Sequence, residues 1–288
     1  MRTKLLPVLL ILVVAPLALV AAGHAQAPAS APAQAPSPAQ ASAPVPVDPD
    51  TLSDPVGTFS VLGYDPVTGE MGGAVQSRVF SVGNGVLWGE AEVGVVATQA
   101  IVDVSYGPQS LALLRQGVAP KDVIQRVLDA DTDPGYGRQA WPKAGRQFAV
   151  MNAKGEFAAY TGPEASVWAG DRQGKNVTAQ GNILARPQVV ENMVEAFEAT
   201  ETNTDGSRNH LAFRLIAALE AGAAFGGDTR GQQSAAILIV KKNCGVWLHN
   251  DVVLRLQVDN DPTPIQKMRE NVQWWWENQR RKRPNCPE

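Results

Sequence analysis

Apolar and polar positions alternate over residues 58–64, where β-branched and aromatic residues are frequent, so the period of two predicts a strand. Asp65-Pro66-Val67-Thr68-Gly69 follows as a turn signal, and residues 72–76 read as the returning strand of a hairpin. Residues 94–98 form a short apolar run of the kind a buried strand carries. The spacing then changes. Leu111, Leu114 and Val118 in one segment, and Val123, Ile124, Val127 and Leu128 in the next, predict helices over 108–116 and 120–130. A second hairpin is expected from 147–151 and 156–160 around Asn152-Ala153-Lys154-Gly155. Helices over 187–199 and 209–221 follow, then a third hairpin from 234–240 and 245–248, and a last strand over 252–258. Hairpins in place of alternating β-α units predict antiparallel sheets covered by helices, an α+β layered sandwich. Ile265, Met268, Val272 and Trp275 fall on one face of a C-terminal helix, widened by Trp274 and Trp276 and followed by Arg280, Arg281, Lys282 and Arg283. This segment, 265–288, is expected to pack on its own domain; contact with anionic lipid or a cell-wall polymer is the other reading.

The amino end has a different character. Arg2 and Lys4 precede an apolar run from Leu5 to Val20, and small residues lead to Ala25. That order is a secretory signal peptide over 1–25, cut after Ala25. The apolar run falls short of the ~20 residues a span needs, and Pro7 and Pro16 interrupt it. No later stretch is long and apolar enough to span, so no transmembrane segment is expected after signal removal, and the location is periplasmic or secreted. Residues 26–52, rich in Ala and Pro, read as a disordered linker, which leaves 53–264 as one domain.

Composition mostly excludes. The formal charge of −3 becomes more acidic once Arg2 and Lys4 leave, so nothing points to nucleic acid. Of 3 histidines, His24 departs with the leader, and His210 and His249 stand isolated. No zinc spacing, G-x-S-x-G, Walker loop, G-x-G-x-x-G or C-x-x-C occurs, so neither a metal nor a cofactor is expected. If the chain is an enzyme, its chemistry is expected to run with little or no histidine. Cys244 and Cys286 are free to pair in an oxidising compartment or to remain thiols.

Gly57-Thr58-Phe59-Ser60-Val61 and Gly72-Gly73-Ala74-Val75-Gln76-Ser77-Arg78 resemble the opening hairpin of proteasome β-type subunits and other N-terminal-nucleophile (Ntn) hydrolases. The span from Thr58 to about Pro264 is similar to a bacterial and archaeal family catalogued as domain of unknown function ten-twenty-eight, which is placed in that superfamily. The stretches that carry this are Thr58-Phe59-Ser60, Ala74-Val75-Gln76-Ser77, Ala97-Thr98-Gln99-Ala100, Ser105-Tyr106-Gly107, Arg146-Gln147, Tyr160-Thr161-Gly162 and Gln180-Gly181-Asn182. Gly227-Asp228, Arg230-Gly231 and Gln233-Ser234-Ala235-Ala236 complete the series. The resemblance implies a four-layer αββα sandwich of two antiparallel sheets flanked by helices. It also implies an amidohydrolase acting on a small amide or peptide-like bond, with Thr58 as nucleophile. A free α-amino group titrates at about 7.7–8.0, so one liberated threonine supplies nucleophile and base together. In this reading Asp228 orients the freed ammonium and Ser234 relays its proton. Gln76, Gln99 and Asn182 are the substrate or oxyanion contacts. A homo-oligomer is left open. Two other readings stand beside it: a non-catalytic envelope ligand-binding protein on the same fold, and an amidase using unprocessed Ser60 or Ser105. The lysine that proteasome-type sites place after the opening hairpin has no counterpart in Val86-Leu87-Trp88-Gly89-Glu90.

Overall fold

Strand β1 (Thr58–Tyr64) turns back into β2 (Met71–Ser77) through Asp65, whose carboxylate accepts the backbone N–H groups of Val67 and Thr68. The computed structural model describes residues 57–136, 140–247, 249–280 and 286, all within the unit 48–288. The leader and the linker expected at 1–25 and 26–52 lie outside the described residues.

After the opening hairpin come a short helix α1 (Gly83–Val86), β3 (Leu87–Glu90) and β4 (Gly94–Ala100). Helices α2 (Tyr106–Arg115) and α3 (Pro120–Ala130) precede β5 (Arg146–Asn152), β6 (Phe157–Thr161), β7 (Gly170–Gly174) and β8 (Val177–Asn182). Helices α4 (Gln188–Ala199) and α5 (Leu211–Ala224) lead to β9 (Ser234–Val240), β10 (Val252–Val258) and α6 (Pro264–Asn278). Two sheets result, ordered β10-β9-β2-β1-β8-β7 and β3-β4-β5-β6, and every pairing is antiparallel.

Strand periodicity sorts side chains between layers. On β1, Phe59 and Val61 face α4 and α5, whereas Leu62 joins Val75, Ala97, Ala149 and Leu238 between the sheets. Phe148 and Val150 of β5 meet Tyr106, Val123 and Val127 on the far side. Three apolar seams thus separate four layers, and the architecture is an αββα sandwich, as expected. Gly63 allows the close approach of α4, because a Cβ there would lie 2.6 Å from the Phe197 ring.

Two local expectations change. Residues 245–247 form bends instead of a returning strand, and β9 pairs with β10. The intervening loop is tied by Asp251, whose carboxylate accepts the Asn243 N–H, and by Gly245 donating to the Asn250 carbonyl. Strands β7 and β8 were not expected, and β8 is the direct neighbour of β1.

The C-terminal helix packs on its own domain. Ile265, Met268, Val272 and Trp275 are buried, and α6 lies against α5, β9 and β10. Cys244 and Cys286 pair, with their Cα atoms 5.3 Å apart. Beneath this end sits an ionic cluster. His210 caps α5: its Nδ1 accepts the Ala212 N–H, so the ring proton lies on Nε2, 3.2 and 3.1 Å from the two Glu70 oxygens. Arg280 reaches the same carboxylate at 3.4 Å, and Trp275 and Trp276 pack on the His210 ring. Burial pushes the Glu70 carboxyl up, but the His210 hydrogen bond and the Arg280 and Lys241 charges outweigh it and hold it below the usual range. A depressed carboxylate adds stability above its unfolded value of about 4.3, and that stability is lost as pH falls through the folded value. Glu70→Gln is therefore expected to flatten the acid limb of the urea-midpoint profile below pH about 4.3. An acid limb parallel to wild type would contradict this role for Glu70.

Candidate functional site

Pairing register assembles the site at one end of the six-stranded sheet. Thr58 lies opposite Asn182 on β8 and Ser77 on β2, and Ser77 lies opposite Ser234 on β9. All four share the parity of Leu62, Val75 and Leu238, so the row Asn182, Thr58, Ser77, Ser234 faces the opposing sheet. Gln76 has the other parity. It shares the helix-facing side with Phe59, away from Thr58, where its amide nitrogen lies 3.4 Å from the Gly231 carbonyl.

The Thr58 hydroxyl donates to Ser77 Oγ at 3.0 Å, and Ser77 Oγ donates to the Gly57 carbonyl at 2.5 Å. A second donor, Arg230 Nη2, reaches that carbonyl at 2.8 Å. Asp228 holds this guanidinium: Oδ2 accepts from Nη2 at 2.8 Å, and Oδ1 accepts from Nε at 3.1 Å and from the Arg230 backbone at 2.9 Å. The bond before Thr58 thus has a hydroxyl on one side and two donors on its carbonyl oxygen. Glycine at 57 leaves room for this ion pair. A Cβ there would fall 2.8 Å from both Arg230 Nη2 and Asp228 Oδ2.

A chain of amides runs between the sheets below this point. Ser60 Oγ donates to Gln99 Oε1 at 2.6 Å, and Gln99 Nε2 donates to Gln147 Oε1 at 2.7 Å. Asn182 Nδ2 donates to the same Gln147 oxygen at 3.0 Å, while Gln147 Nε2 reaches the Gly181 carbonyl and Thr161 Oγ1, each at 2.8 Å. Gln99 also lies 3.5 Å from the Thr58 carbonyl. Every amide here is buried and bonded, so the network fixes the two sheets against each other at the site. Ser234 is engaged elsewhere. Its Oγ donates to the Val79 carbonyl at 2.6 Å and accepts the Val82 N–H at 3.1 Å, which anchors the segment after β2. Ser60 is held inside the network, and Gln180 donates to it at 2.5 Å. Ser105 sits at the start of α2, accepting from Gln109.

A pocket of about 240 Å³ opens beside Thr58, walled by the segment 79–82, by Val86 of α1 and by Thr98, Gln99 and Ala100 of β4. Among the described residues, no group of three or more His, Cys, Asp or Glu could hold a metal. No described helix is long and apolar enough to cross a membrane.

Ser77 and Arg230 are the functional candidates that sequence reasoning did not single out. Ser77 falls within Ala74-Val75-Gln76-Ser77 and Arg230 within the stretch after Asp228, so both lie in segments the family resemblance marks. Arg146 and Tyr106, from two other such segments, meet at Asp131: Tyr106 donates to Oδ2 at 2.5 Å and Arg146 Nε lies 3.2 Å from it. That buried triad joins α2 to β5.

A family model described as a family of unknown function, DUF1028, matches residues 58–268. The chain belongs to this family. Among solved structures, the DUF1028 chain is similar to protein SPO2555 from Silicibacter pomeroyi, described with the same family model. The two are 30% identical with a TM-score of 0.66, over 78% of this chain and 88% of that one. Anbu (ancestral beta-subunit) from Yersinia bercovieri is 10% identical with a TM-score of 0.33, over 80% of this DUF1028 chain and 100% of that one, a likeness too slight to argue from. No curated protein matches the chain.

Proposed function

We propose that the protein is a self-maturing Ntn amidohydrolase whose nucleophile is Thr58, exposed by scission of its own Gly57–Thr58 bond. The observation that carries this reading is the Gly57 carbonyl, gripped by Ser77 Oγ and Arg230 Nη2 next to the Thr58 hydroxyl. Two donors already in place on a carbonyl oxygen favour the oxyanion formed when that carbon is attacked, each by roughly 2.7–4 kcal/mol. Thr58 Oγ attacks the Gly57 carbon as its hydrogen passes to Ser77 Oγ, which hands its own hydrogen to the Gly57 oxygen. The C–N bond then breaks as that hydrogen moves on to the Thr58 nitrogen, which leaves as the amine, and the acyl group rests on Oγ as an ester. Water hydrolyses the ester, leaving Gly57 as a carboxylate and Thr58 with a free amine.

In later turnovers that amine is the base, Thr58 Oγ attacks a small amide, and water releases the acyl product. Asp228, packed against the Gly57 position, orients the new ammonium. Gln99 and Asn182 hold the strand ends in line, and Ser77 and Arg230 take the oxyanion. Ser234 positions the pocket wall. The αββα layering supports the reading, as does a family match that opens on Thr58. The leader adds a periplasmic or secreted location to the proposal.

An electrophilic β-lactone offered to the mature protein tests it. One acyl adduct is expected, mapped by peptide mass spectrometry to Thr58. Acylation at Ser60 or Ser105, or no adduct, would overturn the assignment.

A further inference from the structure

We infer that the pocket beside Thr58 is a subsite for an uncharged, apolar group carried next to the substrate's amide carbonyl, and that Phe80 selects it. The inference rests on reading Thr58 as the nucleophile, since Thr58 forms part of the pocket's wall.

Val79, Phe80, Val82, Val86, Ala100 and Val102 supply most of the lining. The polar side chains among the remainder are engaged elsewhere. Ser81 Oγ donates to Asp259 Oδ1 at 2.6 Å and accepts from Asn84 at 2.9 Å and Gln257 at 2.6 Å. Thr98 Oγ1 donates to the Gly85 carbonyl at 2.6 Å and accepts the Trp88 indole N–H at 3.1 Å. Gln99 belongs to the amide chain. Among the described residues, no ionised side chain lines the pocket. Away from the Thr58 amine, a charged group entering it loses hydration and meets no charged side chain of the lining, whereas an apolar one gains from burial.

The rim gives a second, independent indication. Phe80 is 68% exposed and Val104, whose Cγ1 lies 3.3 Å from where a Cβ on Gly85 would be, is 48% exposed. Their neighbours are fixed. Ser234 ties Val79 and Val82, and Ser81 donates its N–H to the Asp259 carbonyl. Ser81 and Ala100, both in the lining, hold left-handed backbone, with φ of 58° and 67°. Such conformations persist where the surroundings over-determine them, as at ligand clamps. A rigid frame therefore presents an uncovered phenyl ring at the mouth of an apolar pocket beside a nucleophile. The occupant that covers this ring and leaves no polar atom stranded is a leucine- or phenylalanine-sized side chain.

The test uses the full chain with Thr58→Ala, so that no chemistry intervenes, and follows backbone amides by NMR. Isovaleramide and benzamide are expected to shift the Val82, Gly85 and Ala100 signals and to bind at least about tenfold more tightly than succinamate. Phe80→Ser, made at an exposed position, is expected to weaken the two neutral amides about tenfold and leave succinamate unchanged. Succinamate binding as tightly as isovaleramide, or shifts confined to other parts of the chain, would overturn the inference. Activity separates the two claims. If the mature protein hydrolyses no amide while the neutral probes bind as expected, the nucleophile assignment falls and the subsite stands. If it hydrolyses only amides with charged acyl groups, the subsite falls and the nucleophile stands.

Discussion

Thr58→Ala is expected to leave the bond after Gly57 whole and to abolish amide hydrolysis, whereas Thr58→Ser keeps both reactions. The reason is chemical: cleavage needs a hydroxyl at position 58, and turnover needs that hydroxyl with a free amine on the same residue. The two supporting donors should have graded effects. Ser77→Ala and Arg230→Met each remove one hydrogen bond from the Gly57 carbonyl and are expected to slow scission by roughly 10²–10³. Intact mass followed over hours reads all four variants. Scission of the Thr58→Ala chain at the same bond would mean that another protein makes the cut, and the self-processing account would fail.

The second large effect concerns the C-terminal end. The Cys244–Cys286 bridge joins residues 42 apart in sequence. On chain entropy alone, a loop of that size stabilises by about 4 kcal/mol. The tail also carries Arg280, whose Nη1 donates to the Cys286 carbonyl at 3.2 Å and whose Nη2 faces Glu70. Replacing both cysteines by alanine is therefore expected to lower unfolding stability by about 4 kcal/mol, read as a fall in urea midpoint with a steeper slope, because the unlinked denatured chain exposes more surface. A loss under about 1 kcal/mol would show that packing of Trp275 and Trp276 on His210 secures the tail without the bridge.

Where hydrophobic period and turn chemistry agreed, the fold was legible. The strand over 58–64 and the helix over 120–130 lie where their patterns put them, because each has one apolar face and one clear boundary. Strand β7, Gly-Asp-Arg-Gln-Gly, has no apolar alternation, since it is an edge strand half open to solvent. Strand β8 hides for another reason. Its inter-sheet face is Thr178, Gln180 and Asn182, polar residues buried in the amide network. Val246 and Trp247 suggested a strand, yet Trp247 is 78% exposed, and the turn around Asp251 with the Cys244 bridge sets the local path.

The candidate site was legible in part, and the boundary is physical. Thr58 and its preceding glycine can be read locally. The company they keep depends on register, which sequence spacing leaves open: only pairing places Ser77 beside Thr58 and sets Gln76 on the opposite face. Arg230 reaches Gly57 across 173 residues of chain, by way of a turn that folds its guanidinium onto Asp228. Gln99 and Asn182 lie at strand ends near Thr58, but their shared partner Gln147 lies on a third strand and carries no local signal of that part.

The most direct measurement is the rate at which purified, full-length wild-type chain, prepared unprocessed and freed of proteases, loses everything before Thr58. The account expects a first-order reaction, independent of protein concentration, that yields a new amino terminus at Thr58. A chain that keeps its Gly57–Thr58 bond through the onset of activity would contradict it.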